Sequence, residues 1–594
     1  MSKQKKHSSL SNILFAIGWQ FRIAPIYSVY MFIQILFAEL VTLFEHTFLL
    51  AYIVDCVEKG RGIKDVLYFL VPVAIAVAIK IIGMPYSNAY ISSKVEARIK
   101  KEIHLKLYEK AVSMEIAKYD DSAFYNDFVW AMQKAPEHIG SAVSTFRSLF
   151  GRMAVVLIAG GYIVATDSTA LFAVVFLLLI TFFSQKVMNE WKMKREEEVV
   201  PVTRKRDYVN RVFYLADYVK DIKTSTISEK LTKDFRSSSE EIKALVKKHG
   251  PKIGGLEVLR TSASAIVYDG GYLTYLFYQA LVVGKYGLGS LLALYKSANQ
   301  LSGKLSQLIM MLPEFQQHSL YIEKLRTFLE TENRMPDEGS LPVPKTGDIC
   351  LTDVHFTYPG NTEPTIKGVS MEIKKGEKIA LVGFNGAGKS TLIKLILRLY
   401  DPDSGNLRFE GQELKDYPVT EYRKRFGVLF QDFEMIATDL GHNINMSNQP
   451  LDKEKADAAL EKVAFTERFE SLPEGYDTQI TKEFEEKGVN LSGGEAQKIA
   501  LARVLYADAG IIILDEPSSA LDPIAEYQLN KTVTELAEDK TVIIISHRLS
   551  TTRFVDKIYM LENGKIIEQG DHDALLAFDG KYAEMFNLQA QKYR

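Results

Sequence analysis

Long apolar runs dominate the first part of the chain, separated alternately by short and long polar segments. Six runs reach or approach the length that crosses a bilayer: Tyr27 to Ile53, Val66 to Tyr86, Leu149 to Ala165, Ala170 to Phe183, Ala263 to Val283 and Leu288 to Leu312. The third and fourth are short in their purely apolar parts, so their helices are expected to continue into polar flanks outside the lipid. The connections 55–65, 166–169 and 284–287 are short, whereas Ser87 to Phe146 and Ser184 to Ser262 are long, charged and helical in pattern. Lys94, Arg98, Lys100, Lys101, Lys186, Lys192, Lys194 and Arg195 all fall in those long segments. The positive-inside rule therefore assigns them, and the basic N-terminus, to the cytosol. Six crossings then bring the rest of the chain back to the same side.

Two flanking stretches have their own patterns. Leu10, Ile13, Leu14, Ile17 and Phe21 recur at helical spacing, with Trp19 nearby. Such a segment either lies in the membrane interface or is the frayed start of the first crossing. Residues 331–347 are polar and carry prolines, and read as a linker between a membrane domain over 1–330 and a domain over 348–594. Beyond the linker, short apolar strands, turns and helices alternate as in an α/β domain.

Composition changes little in this picture. A chain of 594 residues exceeds one ordinary domain, and its near-zero mean hydropathy averages two unlike halves. The net charge of -2 gives no reason to expect a nucleic-acid partner. Cys56 and Cys350 fall in different halves and are expected on opposite sides of the membrane, so no internal disulfide is expected. No small-residue cleavage site follows the first apolar run, so no signal peptide is read.

The C-terminal half carries the chemistry. Gly383-Phe384-Asn385-Gly386-Ala387-Gly388-Lys389-Ser390 is a glycine-rich phosphate loop, set between an apolar strand (Lys378 to Val382) and an apolar helix (Thr391 to Leu399). Glycines let the backbone wrap phosphates, and loop amides with the helix N-terminus favour an anion. Lys389 is expected to neutralise the β- and γ-phosphates of ATP, and Ser390 to bind Mg²⁺. Ile511 to Leu514 is a buried-strand run ending in Asp515-Glu516. Its first carboxylate is placed to hold Mg²⁺, its second to polarise an attacking water. Leu491-Ser492-Gly493-Gly494-Glu495 and a histidine after a second apolar strand, His547, complete the set.

On these motifs, the half from about Asp348 to the C-terminus resembles the nucleotide-binding domain of ABC transporters. The resemblance implies that Tyr358 stacks on adenine, that Gly383, Asn385, Gly386, Gly388, Lys389, Ser390 and Thr391 hold the phosphates, and that Gln431 senses Mg²⁺ and contacts the membrane domain. It implies that Ser492, Gly493 and Gly494 close over the γ-phosphate held by a partner domain. It also implies that Asp522, in Ser519-Ala520-Leu521-Asp522, couples the two sites and that His547 is the γ-phosphate switch. Mg²⁺ then falls to Ser390, Gln431 and Asp515, and catalysis to Glu516, His547 and Gln431. Two positions depart from the family: Glu495, where glutamine is commonest, and Glu485, where glycine is frequent. The Glu495 carboxylate either weakens closure over phosphate or points away from it.

Six crossings ahead of one such domain look like an exporter-type half-transporter. Residues 114–126 resemble its first coupling segment, and 208–223 are a candidate for the second. Within the crossings, Glu39 and His46 are expected on one helix face, with Glu45 adjacent. Lys80, Asp269, and a stripe of Lys296, Gln300 and Gln307 add polarity. These residues either line a polar substrate path or pair between helices. The expected activity is ATP-driven export by a dimer, a homodimer because every catalytic motif is present in one chain. A heterodimer remains open at Glu495. The expected location is a bacterial cell membrane, multi-pass, with the N-terminus and ATPase domain cytosolic. The wording VLFQDF, QKIALAR and LDPIAE is similar to bacterial exporters of modified peptides. The N-terminal segment is too short for a leader peptidase, so the peptide would be matured elsewhere. Drug or lipid export is the alternative, and a membrane protein merely gated by ATP a more distant one.

Overall fold

The computed structural model describes residues 7–332, 335, 337, 339–517, 531, 540–546 and 551–590. The chain packs as two compact units, Met1–Ala111 with Asp127–Thr331, and Val112–Asn126 with Glu332–Arg594.

The first unit is helical. Its long rods run over Pro25–Glu58, Ile63–Ser113, Ala135–Thr166 and Ala170–Tyr214, then 227–282, then Leu288–Glu330. The first four are long and apolar enough to cross a membrane by length and composition. The last two coincide with the fifth and sixth apolar runs but are more polar. Tyr268, Asp269, Gly270, Gly271, Tyr272 and Tyr275 dilute one, and Lys296, Asn299, Gln300 and Lys304 the other. The helices do extend beyond the apolar runs into polar flanks, as expected for the third and fourth.

Residues 9–23 form a helix separate from the first crossing. The chain breaks at Ala24, where Pro25 starts the next helix with its missing N–H at a position that needs none. Ile13, Ala16 and Trp19 are buried against other helices while Leu10 and Leu14 stay exposed. This segment is therefore a helix of its own and not the frayed start of the first apolar run. The core of the unit joins Val155, Ala159, Ile163, Val174, Leu177, Leu291, Leu294, Ala298 and Leu301. Spacings of three and four put these on single faces, and the alanines let helix backbones approach closely.

Four segments widen into π-helical turns: Phe44–Leu49, Ser87–Ser92, Ile266–Tyr272 and Tyr278–Val282. The first changes the expected geometry. Glu39 precedes it and meets Lys304 of the sixth rod at 2.6 Å, whereas Glu45 lies in it and meets Lys80 of the second at 2.8 Å. His46 is exposed. The π turn breaks the regular periodicity that would have aligned Glu39 with His46. Asp269 is bonded to Tyr295. Lys296 is half-buried, its ammonium 5.8 Å from the Tyr295 ring centre. Several of the polar residues in the apolar runs are thus engaged in pairs between or within helices.

The second unit holds two sheets. Strands β1 (Ile349–Phe356), β2 (Ile366–Ile373), β4 (Ser404–Phe409) and β5 (Gln412–Glu413) form an antiparallel sheet in the order β2-β1-β4-β5. Strands β3 (Lys378–Val382), β6 (Phe426–Leu429), β7 (Ile511–Asp515), β8 (Thr541–Ile545), β9 (Lys557–Glu562) and β10 (Lys565–Gly570) form the second sheet, in the order β10-β9-β3-β8-β7-β6. All its pairs are parallel except β9 with β10. The runs IIILD and TVIII are buried throughout because both faces of this sheet are covered. Ile511, Ile513, Ile543 and Ile545 enter one core, and Ile512, Leu514, Val542 and Ile544 another, as alternation along a strand requires.

Residues 112–126 pack with this unit, although they lie inside the stretch read as membrane domain. Ala117 sits against its main core, and the Tyr400 hydroxyl donates to Asp120 Oδ2 at 2.6 Å. The expected linker is also tied down. Leu341 and Val343 pack on the same core, and Asp337 accepts the Thr420 amide. The apolar side chains of Leu341 and Val343 explain why this stretch adheres to the domain. Cys56 and Cys350 are both free.

Candidate nucleotide site

The phosphate loop leaves the C-terminal end of β3, the third strand of the parallel sheet, and ends in the helix Lys389–Ile396. Two glycines are required by its path. Gly383 has φ 147°, and a Cβ there would lie 2.2 Å from the Leu561 carbonyl oxygen; Gly388 has φ 105° at the helix cap. At Gly386, φ is 80° and an added Cβ would meet nothing within 4 Å, so this part of the loop borders open space.

That space is a cleft of about 830 Å³ lined by Gly383, Asn385, Gly386, Gly388, Lys389, Ser390, Thr391, Gln431 and Glu516. The structure therefore brings the phosphate loop together with residues expected from two distant segments. Lys389 is buried and its Nζ donates to the carbonyls of Gly383 and Phe384 at 2.8 and 3.1 Å. Burial lowers its pKa, against the attraction of Glu516 and Asp515. A poorly hydrated ammonium in a loop of backbone amides suits a polyanion.

Asp515 ends β7 and is buried. Ser390 Oγ donates to its Oδ2 at 2.9 Å, while Oδ1 is buried with no partner among the described residues. Burial raises the Asp515 pKa, Ser390 opposes this, and Glu516 adds to it. A hydroxyl and a carboxylate with an orphaned oxygen are hard oxygen donors of the kind that hold Mg²⁺ beside substrate phosphates. No group of three or more His, Cys, Asp or Glu able to hold a metal occurs among the described residues. Glu516 takes a left-handed backbone, φ 52°, uncommon for a non-glycine, and its amide donates to the Ile545 carbonyl at 3.0 Å. The bend after the strand places it on the cleft wall.

Tyr358 does not line the cleft directly. It reaches it through Thr391, their hydroxyls 3.2 Å apart, and its ring is edge-on to Phe356 and Tyr400 with the Lys394 ammonium 5.4 Å from its centre. Ser492, Gly493 and Gly494 do not line the cleft either. Ser492 caps the helix Gly493–Ala507, and Ser492 and Gly493 are exposed. Asp522 and His547 lie outside the described residues. Glu485 is exposed, in a turn where its carbonyl accepts the Gly488 amide.

The structure adds wall residues that sequence reading missed. Thr365 and Phe384 line the cleft, as do Met585 and Gln589 from the helix Lys581–Ala590. Met585 packs with Tyr582 against Ala380, Val382, Ile558 and Met560 beneath the loop. Gln589 is four residues further on the same helix face. Phe384 lies within the phosphate-loop motif, but no motif marks Thr365, Met585 or Gln589; only the apolar spacing of Tyr582 and Met585 hints that this helix covers the sheet.

Comparison with known proteins agrees with this geometry. Residues 366–519 match the family described as "ABC transporter". The chain is 38% identical over 263 residues to an ATP-dependent lipid A-core flippase of Vibrio cholerae, covering 44% of each chain. It is 34% identical over 319 residues to the mitochondrial ABC transporter B family member 24 of Arabidopsis thaliana, covering 53% of this chain and 46% of that one. It is 37% identical over 243 residues to a Bacillus subtilis protein named for multidrug export, covering 41% of each. The alignments thus span under half the length of these relatives. In fold, the chain matches a bacterial Atm1-family ABC exporter, solved with ATP bound, at a TM-score of 0.76 and 24% identity, covering 96% of this chain and 98% of that one. Residues 366–519 thus match the ABC transporter family, and the chain as a whole has the fold of that exporter, a helical domain followed by an α/β domain.

Proposed function

We propose that this chain is an ATP-driven membrane exporter of amphipathic, lipid-like or drug-like molecules that works as a dimer by alternating access. One observation carries the dimer. The phosphate loop, Gln431 and Glu516 share a cleft, while the signature residues Ser492 and Gly493 are displayed on the surface outside it. A second copy presenting its signature would complete the site.

In this reading Lys389 and the loop amides bind the β- and γ-phosphates of ATP, with Ser390, Asp515 and Gln431 as the Mg²⁺ ligands. Bound Mg²⁺ supplies charge neutralisation at those phosphates. Glu516 accepts a proton from the attacking water. ATP favours the closed pair of domains because it contacts both, and its hydrolysis removes that preference. Residues 112–126 transmit the change: they pack with the ATPase unit, yet continue on both sides into long helices of the membrane unit. We assign the chain to a cell membrane, with its ATPase unit in the cytosol.

The peptide expectation is corrected. Its local likeness in VLFQDF, QKIALAR and LDPIAE is outweighed by relatives named for lipid A-core and multidrug export. Charge pairing points the same way. Glu39 with Lys304 and Glu45 with Lys80 cancel in pairs, which favours amphipathic over highly charged cargo. Inside-out vesicles carrying the chain should accumulate fluorescent lipid or drug probes when ATP is supplied. Hydrolysis without accumulation of either class would refute the export assignment.

A further inference from the structure

A second cavity, of about 340 Å³, lies within the membrane unit. Its polar walls include Gln20, Tyr27, Ser92, Lys100 and Arg147, with Glu96 and Glu137. Three of these mark one level. Tyr27 opens the first apolar run, Ser92 follows the second, and Arg147 immediately precedes the third. The cavity therefore sits at one boundary of the apolar spans, where lipid headgroups lie. Tyr27 donates to Ser92 Oγ at 2.9 Å across it.

Its charges are unequal in kind. Lys100 is paired with Glu96 at 2.9 Å, and Glu137 is exposed. Arg147 makes no ion pair among the described residues. Among the described residues its Nε is buried without an acceptor, its Nη2 reaches Ser144 Oγ at 3.4 Å, and its one other side-chain neighbour is the neutral Tyr27 hydroxyl. A half-buried guanidinium with a buried donor unmet and no carboxylate partner is costly beside a membrane, and its planar fork fits a phosphate. Beside it, Phe32, Phe146 and Phe150 form a mutual edge-on cluster, with centroids 5.2 to 6.2 Å apart. Phe150 is exposed there, an apolar surface for an acyl chain continuing from the headgroup. Basic pockets between membrane helices are suited to anionic headgroups.

We propose that this cavity binds the phosphate of an anionic membrane lipid, held by Arg147. The inference rests on the membrane reading of the first three long helices and not on export. The test is native mass spectrometry of the full chain in neutral detergent, titrated with short-chain phosphatidic acid, short-chain phosphatidylcholine and inorganic phosphate. Wild type should take one saturable phosphatidic acid adduct per chain, and Arg147→Gln should bind it about tenfold more weakly, the size of one charge-assisted contact. Gly140→Leu is the independent variant. Gly140 lines the cavity, nothing lies within 4 Å of an added Cβ, and leucine favours the helix while filling the space. It should lose the adduct with Arg147 intact, and decides the matter if Arg147→Gln does not fold. Undiminished phosphatidic acid binding in Arg147→Gln or Gly140→Leu would overturn the proposal. So would phosphatidylcholine binding as tightly, or inorganic phosphate binding as tightly, which would make the ligand a soluble anion. A chain that stays dispersed without detergent would overturn it together with the membrane reading.

Discussion

Arg468 Nε donates to Glu495 Oε1 at 2.6 Å, while Oε2 of the same carboxylate accepts the Ser492 amide at 2.7 Å. The Glu495 amide in turn donates to the Ser492 hydroxyl oxygen, so the two residues form a capping box at the start of the signature helix. Burial raises the Glu495 pKa, but the Ser492 groups and Arg468 outweigh it, and the net shift is downward. The family departure at this position is thus absorbed by helix capping and an ion pair, with the carboxylate turned to its own chain.

Glu495→Gln should keep the cap and lose only a partly exposed ion pair, for about 0.2–1 kcal/mol of stability. Hydrolysis should change less than about twofold, well under the tenfold that 1.4 kcal/mol would give. Glu495→Ala should lose the cap as well, for about 1 kcal/mol more. Thermal unfolding and ATPase assays on both variants check this; a Glu495→Gln protein several times more active would show that the carboxylate does oppose phosphate.

Tyr400 and Asp120 join the ATPase unit to the segment expected to couple it. Burial first, and then the Asp120 carboxylate, raise the Tyr400 pKa, so the phenol remains a donor. Asp120→Asn weakens a charge-assisted bond without touching the cleft. Basal hydrolysis should hold, while stimulation by transported compounds should fall by about tenfold, the equivalent of 1.4 kcal/mol. Equal stimulation in variant and wild type would remove this bond from the coupling path.

Lys304 and Glu39 form an ion pair whose side chains are only 14% and 16% exposed. Lys304→Met strands a carboxylate and should destabilise the membrane unit by about 3–5 kcal/mol. Adding Glu39→Gln should restore most of it. Thermal unfolding in detergent measures the cycle, and strictly additive effects would show that the pair is not energetically linked.

What could be read from sequence follows the range of the interactions. The phosphate loop and strand β7 are each contiguous in sequence, and a strand–loop–helix context is itself a sequence pattern, so Lys389, Ser390, Asp515 and Glu516 were legible as residues of one site. The six long rods were legible for the same reason, since apolar length is a local property. The pairs Glu39–Lys304, Glu45–Lys80 and Tyr400–Asp120 join segments far apart in the chain, and no local pattern selects the partner. The π turn at Phe44–Leu49 defeated a face assignment that assumed regular periodicity. Gln589 gained its place only through the packing of Met585 beneath the loop.

The most direct test of the account is ATP hydrolysis by this chain alone in lipid nanodiscs, with its assembled mass, beside Glu516→Gln. The account predicts an active dimer and a variant that still binds ATP but hydrolyses it about a hundredfold more slowly or worse. Hydrolysis at the wild-type rate in Glu516→Gln, or a folded, ATP-binding wild type that stays monomeric and inactive, would contradict it.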